Sequence, residues 1–480
     1  MDIISLKFVI LTLISAFIYQ FLNNRLKIIF LAILGCAFVA TFHYRLLIYI
    51  LIYSGINYYI GIQIPQSENK KLIYRIGLIF NLSQLILLKY ASFAIDPIIE
   101  AFGGNMHITH LAEFIIPIGI SYFTLQGIGY LFNIKMGWEK PEPDFLKFLI
   151  YINFFPKFLS GPIERSNHFL PQIRQLKAFQ TEQFESGLRT ILFGFFKKIA
   201  IANQLAPFIY STYSQVDIMD GYSLFLLIFL LPVYLYFDFS GYTDIAIGTA
   251  KLFGIDLLPN FNRPFMSENM TMFWKRFHIS LSAWFNDYIF KQTSFRRRKW
   301  GVYASVYAVV LTWVLFGIWH GAGWNFMLLG VLQAIAIIYE FFTRKWRTKI
   351  FSHVNVHVRK WIGRIITYVF YGTSLVFFFS PDLKSTLMVF ANLFSFNSNV
   401  SVVLVGFIQQ VSLSVFVFMF IVLALELIKE DFNTLSKRVE EFWQSNMIKG
   451  RLFRWTIYSI ILSVLFVLGN NVQQFIYSQF

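Results

Sequence analysis

Phe273 to Phe290 reads FWKRFHISLSAWFNDYIF; the basic cluster Arg296-Arg297-Arg298-Lys299 follows, and an apolar run from Val302 closes on Trp319-His320-Gly321-Ala322-Gly323-Trp324-Asn325. From Val302 to Trp319 there are 18 residues without a charge. At 1.5 Å of rise per residue a helix of that length spans roughly 27 Å, close to the hydrocarbon thickness of a bilayer. His320 therefore ends a membrane helix. The stretch predicts an all-α, polytopic membrane protein whose chemistry sits where apolar helices stop.

On the predicted helix, Phe316, Gly317 and Trp313 share the face of His320 at spacings of four, three and seven, and Gly317 leaves room beside the imidazole. Gly321 and Gly323 let the following backbone turn sharply or approach a ligand. His278 lies in an amphipathic segment, with Trp274 four positions before it and Leu281, Ser282 and Phe285 on the same helical face. Lys275, Arg276 and Asp287 interrupt the apolar pattern, so an interfacial or pore-lining helix is expected there. Two imidazoles titrating near pH 6.5 suit proton abstraction from an alcohol, a step worth roughly 10² to 10⁴ in rate. On these residues alone, a helix cap with a satisfied interfacial histidine stays open.

The rest of the composition agrees with a membrane setting. Of 480 residues, 57% are hydrophobic and 14% charged, against about 25% charged in soluble proteins. An excess of 41 Lys+Arg over 25 Asp+Glu gives a net charge of +16. The basic residues flank apolar runs, as positive-inside anchoring demands, which excludes a nucleic-acid partner and leaves membrane lipids. The single cysteine, Cys36, excludes an intrachain disulfide and a cysteine metal cluster.

Along the chain, Ile3 to Leu22 reads as a retained first span, followed by Leu26 to Phe42, Leu46 to Ile64 and Leu72 to Ile95. Lys70, Lys71 and Arg75 mark a cytoplasmic loop. Asp96 to His110 is an extramembrane loop in which His107 and His110 make at most half a metal site, so no metal is expected. Pro117, Gly119, Gly127 and Gly129 predict a broken or closely packed helix over Leu111 to Ile134. Asn153, Pro156, Lys157, Gly161 and Pro162 predict a re-entrant segment over Phe145 to Arg165, since irregular backbone at membrane depth survives only under cover. Arg165 either faces an anionic donor or acceptor or snorkels. Asp238 and Asp244 stand in apolar surroundings, where an aspartate costs roughly 2.5 to 3.5 kcal/mol, and are expected to pair with Lys197, Lys198 or Lys251. Arg296 to Lys299 reads as a cytoplasmic anchor or a phosphate-attracting loop. Phe326 to Phe342 returns to Arg344, Lys345, Arg347 and Lys349, making a hairpin with His320 at its tip. Spans near Trp361 to Phe379, Val402 to Leu427 and Phe453 to Tyr477 bring the total to about 10–12 transmembrane and re-entrant helices in one membrane domain, 1–480.

Several ordered motifs carry a family resemblance: PIGISYF at 117–123, FPKFLSGPIER at 155–165, DFSGYTDIAIG at 238–248, NFNRPF at 260–265, FWKRFHISLSAWF at 273–285 and GIWHG at 317–321. Over roughly 115–330, with 273–326 carrying both histidines, the chain resembles the membrane-bound O-acyltransferases. It is most similar to the bacterial branch that acetylates alginate and transfers D-alanine toward teichoic acid. The resemblance implies a central funnel, an acyl thioester as donor substrate (acetyl-CoA or an acyl-carrier protein), no permanently bound cofactor, a cell-envelope polysaccharide as acceptor, an extracytoplasmic acyltransferase partner and a bacterial inner-membrane location. It also implies His320 as catalytic base and His278 as a second active-site residue. Trp319, Asn325, Trp274, Ser282, Arg165 and Arg276 are the candidate donor- or substrate-binding residues. Lys291-Gln292-Thr293-Ser294 departs from the alginate-type pattern and brings D-alanyl transfer closer, whereas Asp244 and Pro171-Gln172 favour acetylation. A polysaccharide or lipid transporter would explain Asp238, Asp244 and the broken helices, but not two histidines in these surroundings.

Overall fold

The computed structural model describes residues 3–90, 95, 99, 119–445 and 447–469 of the 480. His107 and His110 lie outside the described residues. Of the described residues 80% are helical, as they must be where no water can satisfy a peptide group. Among the described residues seven helices are long and apolar enough to cross a membrane, eight if one bent pair counts as a single span. That pair corrects an expectation: Val402 to Leu427 is not one straight span but Val400–Gln410 and Leu413–Asp431, bent by 81°. The longest helix, Gly221–Leu252, has 78% of its apolar window buried and forms the centre of the bundle.

Glycines let Thr181–Phe195 lie directly on that central helix. A Cβ at Gly248 would stand 2.6 Å from the Gly187 carbonyl oxygen, and one at Gly241 2.8 Å from that of Gly194. Such backbone proximity replaces the hydrophobic drive that lipid does not supply. The π-helical turn Phe196–Ala202 follows and supplies both lysines that meet the central aspartates. Lys198 pairs with Asp238, each side chain fully buried, and Lys197 Nζ lies 2.7 Å from Asp244 Oδ2. Lys251 instead donates to Ser186 Oγ at 3.1 Å.

Two irregular segments penetrate the bundle. The first follows Phe145–Asn153 and runs as buried, non-helical backbone to Glu164. Lys157 covers it from inside, donating to Gln126 Oε1 and to the Tyr151 carbonyl, both at 2.6 Å. Gly119, at φ 81°, begins Ile120–Met136 where a Cβ would sit 2.8 Å from the Phe158 carbonyl oxygen. The second runs from Phe253 to His278. Glu340 fixes it by accepting from the Met270 and Thr271 amides at 2.6 and 3.0 Å, and Arg276 pairs with Glu430 at 2.8 Å.

The hairpin of Val302–His320 and Trp324–Ile350 interlocks through glycine. A Cβ at Gly317 would fall 2.2 Å from the Phe326 carbonyl oxygen, and one at Gly330 2.1 Å from that of Trp313. The space expected beside His320 for a ligand is thus taken by the partner helix.

Removing one member of the buried Lys198–Asp238 pair strands a charge. Asp238→Leu is expected to cost about 3–5 kcal/mol, and adding Lys198→Met to recover most of it, read as unfolding temperature in detergent.

Candidate active site

His320 is the last residue of its helix, because Gly321 and Gly323 continue as extended backbone at φ −166° and −168°. Glycine is required at 321 by proximity rather than by a left-handed turn: a Cβ there would lie 2.2 Å from the Phe326 ring. An extended exit provides no amide to cap the final carbonyls. Lys89 and Tyr90 supply the donors from another helix. Lys89 Nζ reaches the carbonyl oxygens of Trp319 and His320 at 2.9 and 3.2 Å, and Tyr90 OH donates to that of Ile318 at 2.7 Å. A cation also complements the negative end of the helix dipole.

His278 sits in a break, not on a continuous amphipathic helix as expected. Met270–Trp274 stops, His278 takes φ 47°, and Ile279–Phe285 begins after it. The break exists because residues 260–262 pair with this backbone in place of helical bonds. Ile279 N donates to the Asn260 carbonyl and Asn262 N to that of Arg276, both at 2.9 Å, around an antiparallel bridge of Phe261 with Phe277. Asn260 Oδ1 accepts from Ser280 N at 3.1 Å and Ser280 Oγ at 2.8 Å, and lies 3.3 Å from His278 Nδ1. An oxygen that accepts from a backbone amide is fixed as the acceptor, so Nδ1 carries the ring hydrogen and the lone pair of the neutral imidazole falls on Nε2.

The two histidines line one cavity of about 20 Å³, with Trp274, Gln333, Tyr371 and Phe378 also in its wall. That volume holds about one water molecule. His278 and His320 are 1% and 6% exposed. The Trp319 ring is 6.3 Å from that of His278 and 5.0 Å from that of His320. Phe316 and Phe378 hold His320 at 4.9 and 5.4 Å, and Phe239 meets His278 edge-on at 4.6 Å.

The other sequence candidates lie elsewhere. Asn325 donates to the carbonyls of Phe377 and Ser380 at 3.0 and 2.8 Å, tying the hairpin tip to Val356–Phe379. Arg165 pairs with Asp287 at 3.2 Å above the Tyr288 ring, and Ser282 Oγ donates to the Phe277 carbonyl at 3.4 Å. Arg276 faces Glu430. Sequence reading overlooked Lys89, Asn260, Gln333 and Tyr371. Lys89 and Gln333 carried a signal, being polar within apolar runs; Tyr371 is one tyrosine among 25. Among the described residues no group of three His, Cys, Asp or Glu is placed to hold a metal ion.

Residues 136–381 match the model of the membrane-bound O-acyltransferase family. The chain is 32% identical over 282 residues to a probable alginate O-acetylase of Azotobacter vinelandii, covering 57% of this chain and 55% of that protein. It is 29% identical over 375 residues to a peptidoglycan O-acetyltransferase of Helicobacter pylori, covering 71% and 68%. To a teichoic acid D-alanyltransferase of Bacillus subtilis it is 32% identical over 241 residues, covering 48% and 60%. The matched stretch thus spans little more than half the length of the Azotobacter protein.

Lys89→Met would leave buried carbonyls at the end of the His320 helix without their donor, at a cost of about 1–3 kcal/mol. A lower unfolding temperature for Lys89→Met, with Lys89→Arg near wild type, is the expected result. Asn260→Leu, which strips the acceptor from Ser280 and His278, is expected to lower it by a similar amount.

Proposed function

The chain belongs to the membrane-bound O-acyltransferase family, and we propose that it moves an acyl group, in the first place acetyl, from a thioester to a hydroxyl of a cell-envelope polysaccharide. The observation that carries this reading is the meeting of His278 and His320 in one cavity, at the junction of a re-entrant segment and a hairpin tip. His320 removes the proton of the acceptor hydroxyl as its oxygen attacks the thioester carbonyl carbon. The tetrahedral adduct then expels the thiolate, which takes the proton back from the imidazolium. His278, with its lone pair on Nε2, accepts a hydrogen bond from a hydroxyl and orients it. Stabilising an oxyanion would need a donor at that nitrogen, so orientation is the role assigned.

Charge distribution supports a cytoplasmic donor. Both ends of the hairpin away from His320 are basic, at Arg296 to Lys299 and Arg344 to Lys349, and Lys71 and Arg296 are near enough to Lys135 to act on its charge. By the positive-inside rule this face is cytoplasmic and the tip with His320 points toward the outer leaflet. A thioester, either acetyl-CoA or an acyl carrier, then approaches from the basic face and the acceptor from the other. An extracytoplasmic partner completes delivery to the polysaccharide, in the inner membrane of a bacterium. The names of the relatives support acetyl as the group; the D-alanyltransferase of Bacillus subtilis keeps D-alanyl transfer as the second reading.

The test is complementation of cells lacking this chain, read by mass spectrometry of envelope glycans. Wild type restores ester-linked acetyl, and His320→Ala lowers it by about 10² to 10⁴-fold. Full restoration by His320→Ala contradicts the mechanism, and restored alanyl esters in place of acetyl select the second reading.

A further inference from the structure

Gln333 and Tyr371 add polar groups to the cavity wall besides the two histidines. Gln333 is 1% exposed; its Oε1 accepts from Trp274 Nε1 at 3.1 Å and its Nε2 donates to Ser374 Oγ at 3.0 Å. Ser374 Oγ is itself fixed, donating to the Tyr371 carbonyl at 2.8 Å. A primary amide has two donors and two acceptor lone pairs, so one of each remains on Gln333. Tyr371 is 2% exposed and lines the same cavity, its ring 4.3 Å from Phe273 and 5.4 Å from Phe277. Among the described residues its hydroxyl has no hydrogen-bond partner. That leaves the hydroxyl able to pair with a bound group.

Both groups stand toward the basic ends of their helices. Gln333 is roughly 13 Å along its helix from Trp324 toward the basic end, and Tyr371 roughly 10 Å from Phe378 in the same direction, Phe378 being the residue that packs on His320. A secondary amide matches what is offered: its carbonyl accepts from the Tyr371 hydroxyl or the spare Gln333 N–H, and its N–H donates to Gln333 Oε1.

We propose that Tyr371 and Gln333 form a collar that reads an amide of the donor's arm some 10 Å short of the reacting thioester, making them specificity-determining residues for amide-bearing thioesters such as acyl-pantetheine. The inference rests on the acyl-transfer reading. It gives a use to a polar cluster that would otherwise weaken an apolar wall.

Two non-reactive probes test it with the full chain in detergent: the S-acetonyl thioether of pantetheine, and a thioether of equal length with ether oxygens in place of the amides. Wild type is expected to bind the amide-bearing probe about tenfold more tightly. Tyr371→Phe, which keeps the ring, and Gln333→Leu are each expected to abolish that preference without weakening the ether probe, while His320→Ala keeps it. Equal binding of both probes by wild type, or a preference that survives Tyr371→Phe, overturns the collar and leaves acyl transfer standing. Failure of wild type to bind either probe removes the acyl-donor reading itself. If Gln333→Leu does not fold, because Trp274 loses its acceptor, Tyr371→Phe alone decides.

Discussion

An unpaired peptide group cannot be tolerated at membrane depth, and that constraint decides where this protein can place its chemistry. Both histidines stand at helix interruptions, which is where a side chain can face a cavity instead of a neighbouring helix. Each interruption is affordable only because foreign donors and acceptors replace the missing helical bonds. Lys89 and Tyr90 cap the end that carries His320; Asn260 and its neighbours pair with the backbone on either side of His278. The site is therefore held by residues that take no part in the reaction proposed for it.

Tight helix packing is the complement of those interruptions. Gly187 and Gly194 against Gly248 and Gly241, and Gly317 against Gly330, bring backbones close enough that no side chain fits between them. Two internal lysines are paired across the same contacts, Lys198 with Asp238 and Lys197 with Asp244. Rigid scaffolding of this kind keeps the cavity wall in place while the cavity itself stays narrow.

Most of the long spans, the re-entrant segment near Pro156, the hairpin with His320 at its tip and the lysine partners of Asp238 and Asp244 were legible in the sequence, because each follows from apolar length or from the cost of a buried charge; the expected 10–12 helices exceed the seven or eight candidate spans among the described residues, since Leu6–Gln20 is too short to cross. The break at His278 was not, since its cause is a strand-like pairing with Asn260 to Asn262, distant enough in sequence to leave no local period. Gly317 was misjudged for a related reason: a small residue signals proximity but not what comes near, and here it is the returning helix. Asn325 looked like a ligand contact beside His320 and is a staple to the Phe377 and Ser380 carbonyls. Tyr371 had no signal at all, because a tyrosine in an aromatic-rich span looks like any other until the fold places it in the cavity wall.

The central claim is that His278 and His320 share one chamber entered by a thioester. Mapping imidazole carbethoxylation by mass spectrometry, in membranes with and without a saturating non-reactive thioether analogue of acetyl-CoA, tests it directly. The account predicts that the analogue protects His278 and His320 together, while the exposed His353 and His357 react equally in both samples. Protection of one active-site histidine without the other, or of neither, would contradict it.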